Sequence, residues 1–178
     1  YLNLSYHYYH LAYTQNDSSY WAGLNSAVMA TVRGDIRQAE KLASSIFTLC
    51  SDLVEKSTEY PYWILCSMAI AGLILKNYED SLSYFTAAAK TVEKDYGEIL
   101  SAKKETLLVM TYLPVPLDFR QKIIAQFKLP RISVFTGHML DAPNRAQPRF
   151  PEEIETDIRN ELIPVLKNKK IAIGYASA

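Results

Sequence analysis

Three stretches of this chain fall on one template. Ser5, Tyr9 and Ala12 stand four and three residues apart, as do Ala39, Ala43 and Ile46, and again Ser81, Phe85 and Ala88. The offset is 34 residues between the first two copies (5 to 39) and 42 between the next two (39 to 81). Spacings of four and three put side chains on one face of a helix. A face that recurs along the chain restricts it to units that bury their apolar sides against one another. Gly34-Asp35-Ile36 precedes the second copy and Lys76-Asn77-Tyr78 the third, and both suit the turn inside a helical pair. Upstream of the turns lie apolar stretches, Trp21 to Val32 and Tyr62 to Leu75. Ala27 and Ala69 are the small residues that would let two helices approach.

A period near 34 is the signature of tetratricopeptide repeats. The predicted fold is therefore mainly α, with tetratricopeptide-like helical hairpins over residues 1–113. The alternative is an irregular helical domain without true repeats. Predicted helices cover about Leu2 to Thr14, Tyr20 to Val32, Asp35 to Ser51, Pro61 to Leu75, Tyr78 to Val92 and Tyr96 to Tyr112. Pro61 suits the first turn of its helix, where its missing N–H costs nothing. On the sixth helix Ile99, Leu107 and Met110 form the expected apolar side, with Lys103, Lys104 and Glu105 on another. Pro114 and Pro116 stop it, and residues 114–130 read as a connecting helix and linker.

The character changes near residue 131. Ile132 to Phe135 is a short apolar, β-branched run that reads as a strand. After a long loop, Pro151, Glu152, Glu153 and Glu155 carry the start signals of a helix. Its expected apolar face is Ile154, Ile158, Leu162, Val165 and Leu166. Ile171-Ala172-Ile173 reads as a second strand without polar alternation, as in a parallel sheet. Residues 131–178 are thus expected to begin an incomplete, Rossmann-like α/β domain, with a right-handed crossover. The chain opens on Tyr1 and closes just after a strand, so it reads as a fragment.

Composition limits the function. Hydrophobic residues make up 49% and charged residues 21%, which is globular rather than disordered. Nineteen basic residues balance nineteen acidic ones, and this predicts neither a nucleic acid nor an anionic membrane as partner. The basic run Lys167-Asn168-Lys169-Lys170 is read as completing a helix dipole. Cys50 and Cys66, the two cysteines, are too far apart in sequence for a metal or redox motif and suit a reducing, cytoplasmic setting. No signal peptide or membrane-spanning run is recognisable. His7 and His10 lack the further ligands a metal would need.

The loop after the first predicted strand carries the most chemistry. Ligands of open α/β sheets sit outside the carboxyl ends of strands. Thr136, Gly137 and His138 lie at such an end. Gly137 would let backbone approach a ligand, Asp141 could accept from a ribose hydroxyl, and Arg145 and Arg149 could pair with phosphate. Ser177, after the second strand, would border the same crevice. The plainer reading is a connection whose arginines pair with Glu152 or Asp157 at the surface.

The run Phe135-Thr136-Gly137-His138-Met139, with Asp141, Pro143 and Arg145, followed by Pro148 to Pro151 and Ile173-Gly174-Tyr175, resembles a bacterial family. In that family a tetratricopeptide-like region precedes a Rossmann-like segment that continues with a Gly-Ala-Asp motif. The helical part, over Tyr20 to Ala43 and Tyr62 to Ala88, is similar to the TRAF-binding, tetratricopeptide-like region of the apoptosis signal-regulating kinases. The resemblance implies a scaffold or sensor module in signalling, with nucleotide-like recognition.

Two functions remain in view. One is an interaction module that holds a protein or peptide, or a second copy of itself, without catalysis by this chain. The other is a nucleotide- or nucleoside-binding α/β protein, hydrolytic in one version, with a regulatory helical attachment. No spaced carboxylate pair, nucleophile elbow or phosphate-cradling loop is present to support catalysis.

Overall fold

The computed structural model describes residues 1–56, 62–92, 95–136, 144, 146–147, 152–169 and 171–177. The chain is mainly α and divides into two compact units, Tyr1–Lys128 and Leu129–Ala178.

The first unit holds α1 (Leu2–Gln15), α2 (Tyr20–Val32), α3 (Ile36–Lys56), α4 (Tyr62–Ile74), α5 (Tyr78–Thr91), α6 (Tyr96–Tyr112) and α7 (Leu117–Ile124). Consecutive helices pack together from α1 to α5, and α7 packs on α5. In addition α2, α4 and α6 each touch the other two. That three-way contact goes beyond strict nearest-neighbour stacking, in which the first and third units would not meet. It explains α4. Residues 64–74 of this helix are all buried, because α2, α3, α5 and α6 surround it. Its sequence, apolar all the way round, suits only such a position.

Two of the hairpin turns match in the backbone. At the first turn the N–H groups of Arg33, Gly34 and Asp35 donate to the carbonyls of Met29, Thr31 and Ala30. At the second, Leu75, Lys76 and Asn77 donate to Ala71, Leu73 and Gly72, each displaced by the same 42 residues. Asp35 and Asn77 then open the next helix by accepting from Ala39 and Ser81. Both turns need one left-handed residue, supplied by Gly34 at φ 79° and by Lys76 at φ 63°. The template side chains are core. Ala27, Ala39, Ala43, Ile46, Ala69, Ser81, Phe85 and Ala88 are all buried. Volume is exchanged between copies, Ala43 and Ile46 in one standing where Phe85 and Ala88 stand in the other. Ser81 Oγ donates 2.7 Å to the Ala69 carbonyl, tying α5 to α4 at the equivalent of the Ala39–Ala27 approach. Gly23 serves the same closeness of α2 to both α3 and α1, since a Cβ there would strike Ile46 Cδ1 and the Tyr13 ring.

Three sequence expectations fail in this unit. The first template copy is not core, because α1 packs on α2 and buries no residue. Leu107 is 37% exposed, and the buried side of α6 is Ile99, Ala102, Thr106, Val109 and Met110. On the expected charged side, Glu105 is half-buried, and its Oε1 is shut off from solvent without a hydrogen-bond partner among the described residues. In both α6 cases the helix has apolar residues on more than one side, so periodicity could not choose the core face. Helix α3 also continues past Ser51 to Lys56.

In the second unit β1 (Arg131–Thr136) and β2 (Ile171–Ser177) pair in parallel, with an irregularity between Arg131 and Ile132. Between them lie a single 3-10 turn, Glu152–Ile154, and α8 (Glu155–Asn168). Arg131 donates through its guanidinium to the Lys169 carbonyl at 3.0 Å. The expected apolar face of α8 is not buried, with Ile158, Leu162 and Val165 all exposed. Pro164 stands inside this helix, where it supplies no N–H to the ladder.

Candidate functional site

Of the residues singled out for ligand binding, Thr136 and Ser177 are brought together. They are register partners at the carboxyl ends of β1 and β2, the place where parallel sheets receive ligands. Gly137, His138, Asp141, Arg145 and Arg149 lie outside the described residues. Within the loop Asn144, Ala146 and Gln147 are exposed.

The first unit contains a cavity of about 200 Å³ that sequence reasoning did not find. Four helices converge to make it. Tyr62 and Cys66 come from the start of α4, Phe85 and Val92 from α5 and just past its end, Tyr96 from the start of α6, and Phe127 from just after α7. Phe85 and Phe127 meet edge-on, with ring centres 5.3 Å apart. The lining comes from segments about twenty to sixty residues apart, around Tyr62, Phe85 and Phe127, so no motif announces the site.

Polar groups at the cavity are few. Tyr62 and Cys66 lie one turn apart on α4, and burial raises the pKa of both, Cys66 to about 12. Cys50, also buried, is likewise pushed up to about 12 by desolvation. Neither thiol is a nucleophile at neutral pH, because the thiolate is the reactive form. Beside the cavity, Trp63 Nε1 donates to Glu98 Oε1 at 2.9 Å, and Asp95 caps α6 by accepting from the Glu98 N–H at 3.1 Å. Burial holds the Glu105 carboxyl up at about 7. Ala88, Ala89, Ile99, Gln126 and Lys128 complete the lining, and Lys128 is exposed.

The histidines of α1 do not form a site. His10 stacks on Tyr6 at 5.3 Å and its Nδ1 lies 3.4 Å from Ser26 Oγ, whereas His7 sits edge-on to Tyr8. Among the described residues no group of three His, Cys, Asp or Glu side chains is placed to hold a metal ion. Among them, too, no helix is long and apolar enough to cross a membrane. Tyr8 and Trp21 are strongly exposed, and Trp21 meets Tyr9 edge-on at 5.5 Å.

No protein-family model matches this chain, and no curated protein or solved structure matches it either.

Proposed function

We propose that the helical unit is a tetratricopeptide-like interaction module that holds a protein or peptide, in a signalling or scaffolding role. The observation that carries this reading is the repeated turn. Its hydrogen bonds recur with one offset of 42 residues, longer than the roughly 34 of the tetratricopeptide signature, and the buried residues of the second and third template copies recur with them. Repeated hairpins that stack present broad surfaces, and such surfaces serve recognition. Exposed aromatic side chains, Tyr8 on α1, Trp21 on α2 and Tyr96 and Tyr112 on α6, supply the side-chain types that dominate interface energetics. The resemblance we read in Tyr20 to Ala43 and Tyr62 to Ala88 to the TRAF-binding region of the apoptosis signal-regulating kinases implies the same role. Two unbridged, buried cysteines support a reducing compartment, so the cytoplasm is the setting we infer.

Quantitative affinity capture on the immobilised chain tests this, with an equally sized helical protein of zero net charge as control. At least one protein should be retained by the chain and released by competition with soluble chain. Identical capture profiles for the two baits overturn the reading.

A second reading has one observation in its favour, the juxtaposition of Thr136 and Ser177 at the carboxyl ends of parallel strands. It assigns the second unit as Rossmann-like and gives Thr136, Gly137, His138, Asp141, Arg145, Arg149 and Ser177 to a nucleotide. Calorimetry with a nucleotide panel addresses it. Silence across the panel, or binding that survives Asp141→Ala with Arg149→Ala, removes the assignment.

A further inference from the structure

The inner side of α6 faces α2 and α4 through Ile99, Ala102, Thr106 and Val109. At 100° per residue, Tyr96, Leu100 and Leu107 fall within 40° of one another on the outer side. Their exposures are 37%, 40% and 37%. Three large apolar side chains thus share one outward line of the helix. The same geometry sets Lys103 on one edge of the line and Lys104 on the other. The carboxylates of the helix lie on the other side, Glu98 held by Trp63 and Glu105 half-buried with its Oε1 shut off from solvent. Charge is thus segregated on α6, with an apolar stripe bordered by cations.

The stripe begins at the cavity. Tyr96 is both its first residue and part of the cavity lining, and Lys128 stands in the lining as a further exposed cation. From Tyr96 to Leu107 is about 16 Å along the helix axis, roughly three turns. A cavity of about 150 Å³ accepts a benzene ring, so the 200 Å³ here holds one ring or one branched aliphatic side chain. A free molecule of that size would leave the stripe uncovered. A helical segment would cover it and could insert a single side chain at the end.

We propose that this surface receives an acidic, amphipathic helical segment of a partner protein, whose apolar face lies along Tyr96, Leu100 and Leu107. One bulky side chain of that segment enters the cavity, and its carboxylates face Lys103, Lys104 and Lys128. The proposal rests on the reading of the unit as an interaction module and names the chemistry of what it holds. Helix-in-groove recognition works in this way, through apolar anchors spaced by three and four residues.

The test uses the full chain and a fluorescein-labelled peptide of about four helical turns. Leucines occupy every third and fourth position, tryptophan is at one end, and glutamates fill the other positions. A second peptide carries lysine for each glutamate, and indole serves as a free cavity ligand. Anisotropy should show the acidic peptide binding at least tenfold more tightly than the basic one, and losing affinity as salt rises. Leu100→Ser with Leu107→Ser, both exposed and so compatible with an unchanged circular dichroism spectrum, should weaken binding at least tenfold. Lys103→Glu with Lys104→Glu should reverse the preference towards the basic peptide. Equal binding of the two peptides, binding unaffected by the leucine changes, or indole binding as tightly as the peptide would each overturn the proposal. So would a dimer in sedimentation that the leucine changes convert to monomer, because the face would then belong to a second copy. If the peptides fail while affinity capture still retains a partner, this inference falls and the interaction-module reading stands. If both fail, both fall.

Discussion

Replacing Glu105 by glutamine removes a charge that the folded protein holds at a cost. In the unfolded chain this carboxyl titrates near its ordinary 4.5, while in the folded protein burial keeps it protonated up to about 7. Between those values the folded state binds more protons than the unfolded one, so stability falls as pH rises. Stability is at its full value below pH 4.5 and the loss is complete above about 7. At about 1.36 kcal/mol per pH unit, the displacement from 4.5 to about 7 amounts to roughly 3 kcal/mol. The structural cause is a carboxylate oxygen closed off from solvent with no hydrogen-bond partner among the described residues. Glutamine keeps the shape and cannot ionise. Glu105→Gln should therefore match the parent protein at pH 4.5 and exceed it by about 3 kcal/mol at pH 8. For chains of this size about 1 kcal/mol moves Tm by roughly 2–4 °C, so the expected gain at pH 8 is about 6–12 °C. Thermal unfolding followed by circular dichroism across pH 4.5 to 8 measures it. Parallel pH profiles for variant and parent would refute the reasoning, since they would place the titrating burden on other groups.

Further outcomes follow from the repeat and the core. Gly23→Ala gains about 1 kcal/mol of helix propensity but drives a methyl into fully buried Ile46, an overpacking cost of about 1–3 kcal/mol. Urea denaturation should show net destabilisation, and adding Ile46→Val, which removes Cδ1, should recover more than the two single changes predict; additive effects would contradict the close approach. Lys76→Gly relieves the left-handed strain of a side-chain-bearing residue and should stabilise by about 1 kcal/mol. The lost exposed pairing of Lys76 with Glu40, 3.0 Å apart, offsets only a few tenths of this, and a destabilised variant would argue against equivalence of the two turns. In native protein at pH 8 neither Cys50 nor Cys66 should react with a thiol reagent, and both should react in denaturant. Rapid stoichiometric labelling of the native protein would refute their burial.

Much of the first unit is legible in the order of its residues. The boundaries of α6, Tyr96–Tyr112, follow from Asp95 as a cap and the prolines beyond Leu113, and both signals are local. The template residues Ala39, Ala43, Ile46, Ser81, Phe85 and Ala88 are legible because a core face must repeat with the period of its element. The same template misleads at Ser5, Tyr9 and Ala12. Spacing names a face but not a neighbour, and α1, packed mainly on α2, buries no residue. Leu107 and Glu105 are misplaced for a related reason. The α6 sequence offers apolar residues on two sides, and only the positions of α2 and α4 decide which side is core. Thr136 and Ser177 are placed at strand ends by two short apolar runs, and their pairing in register is a product of the parallel sheet.

The amino-acid order alone determined the helices, their hairpin turns and the recurring buried faces. Each depends on hydrogen bonds and side-chain periodicity within one or two turns of chain. Tertiary packing alone decided that α2, α4 and α6 meet, that Glu105 loses its water, and that Tyr62, Phe85, Tyr96 and Phe127 enclose a cavity. Desolvation and enclosure are made by residues far apart in sequence, and a local pattern carries no record of what will be brought against it.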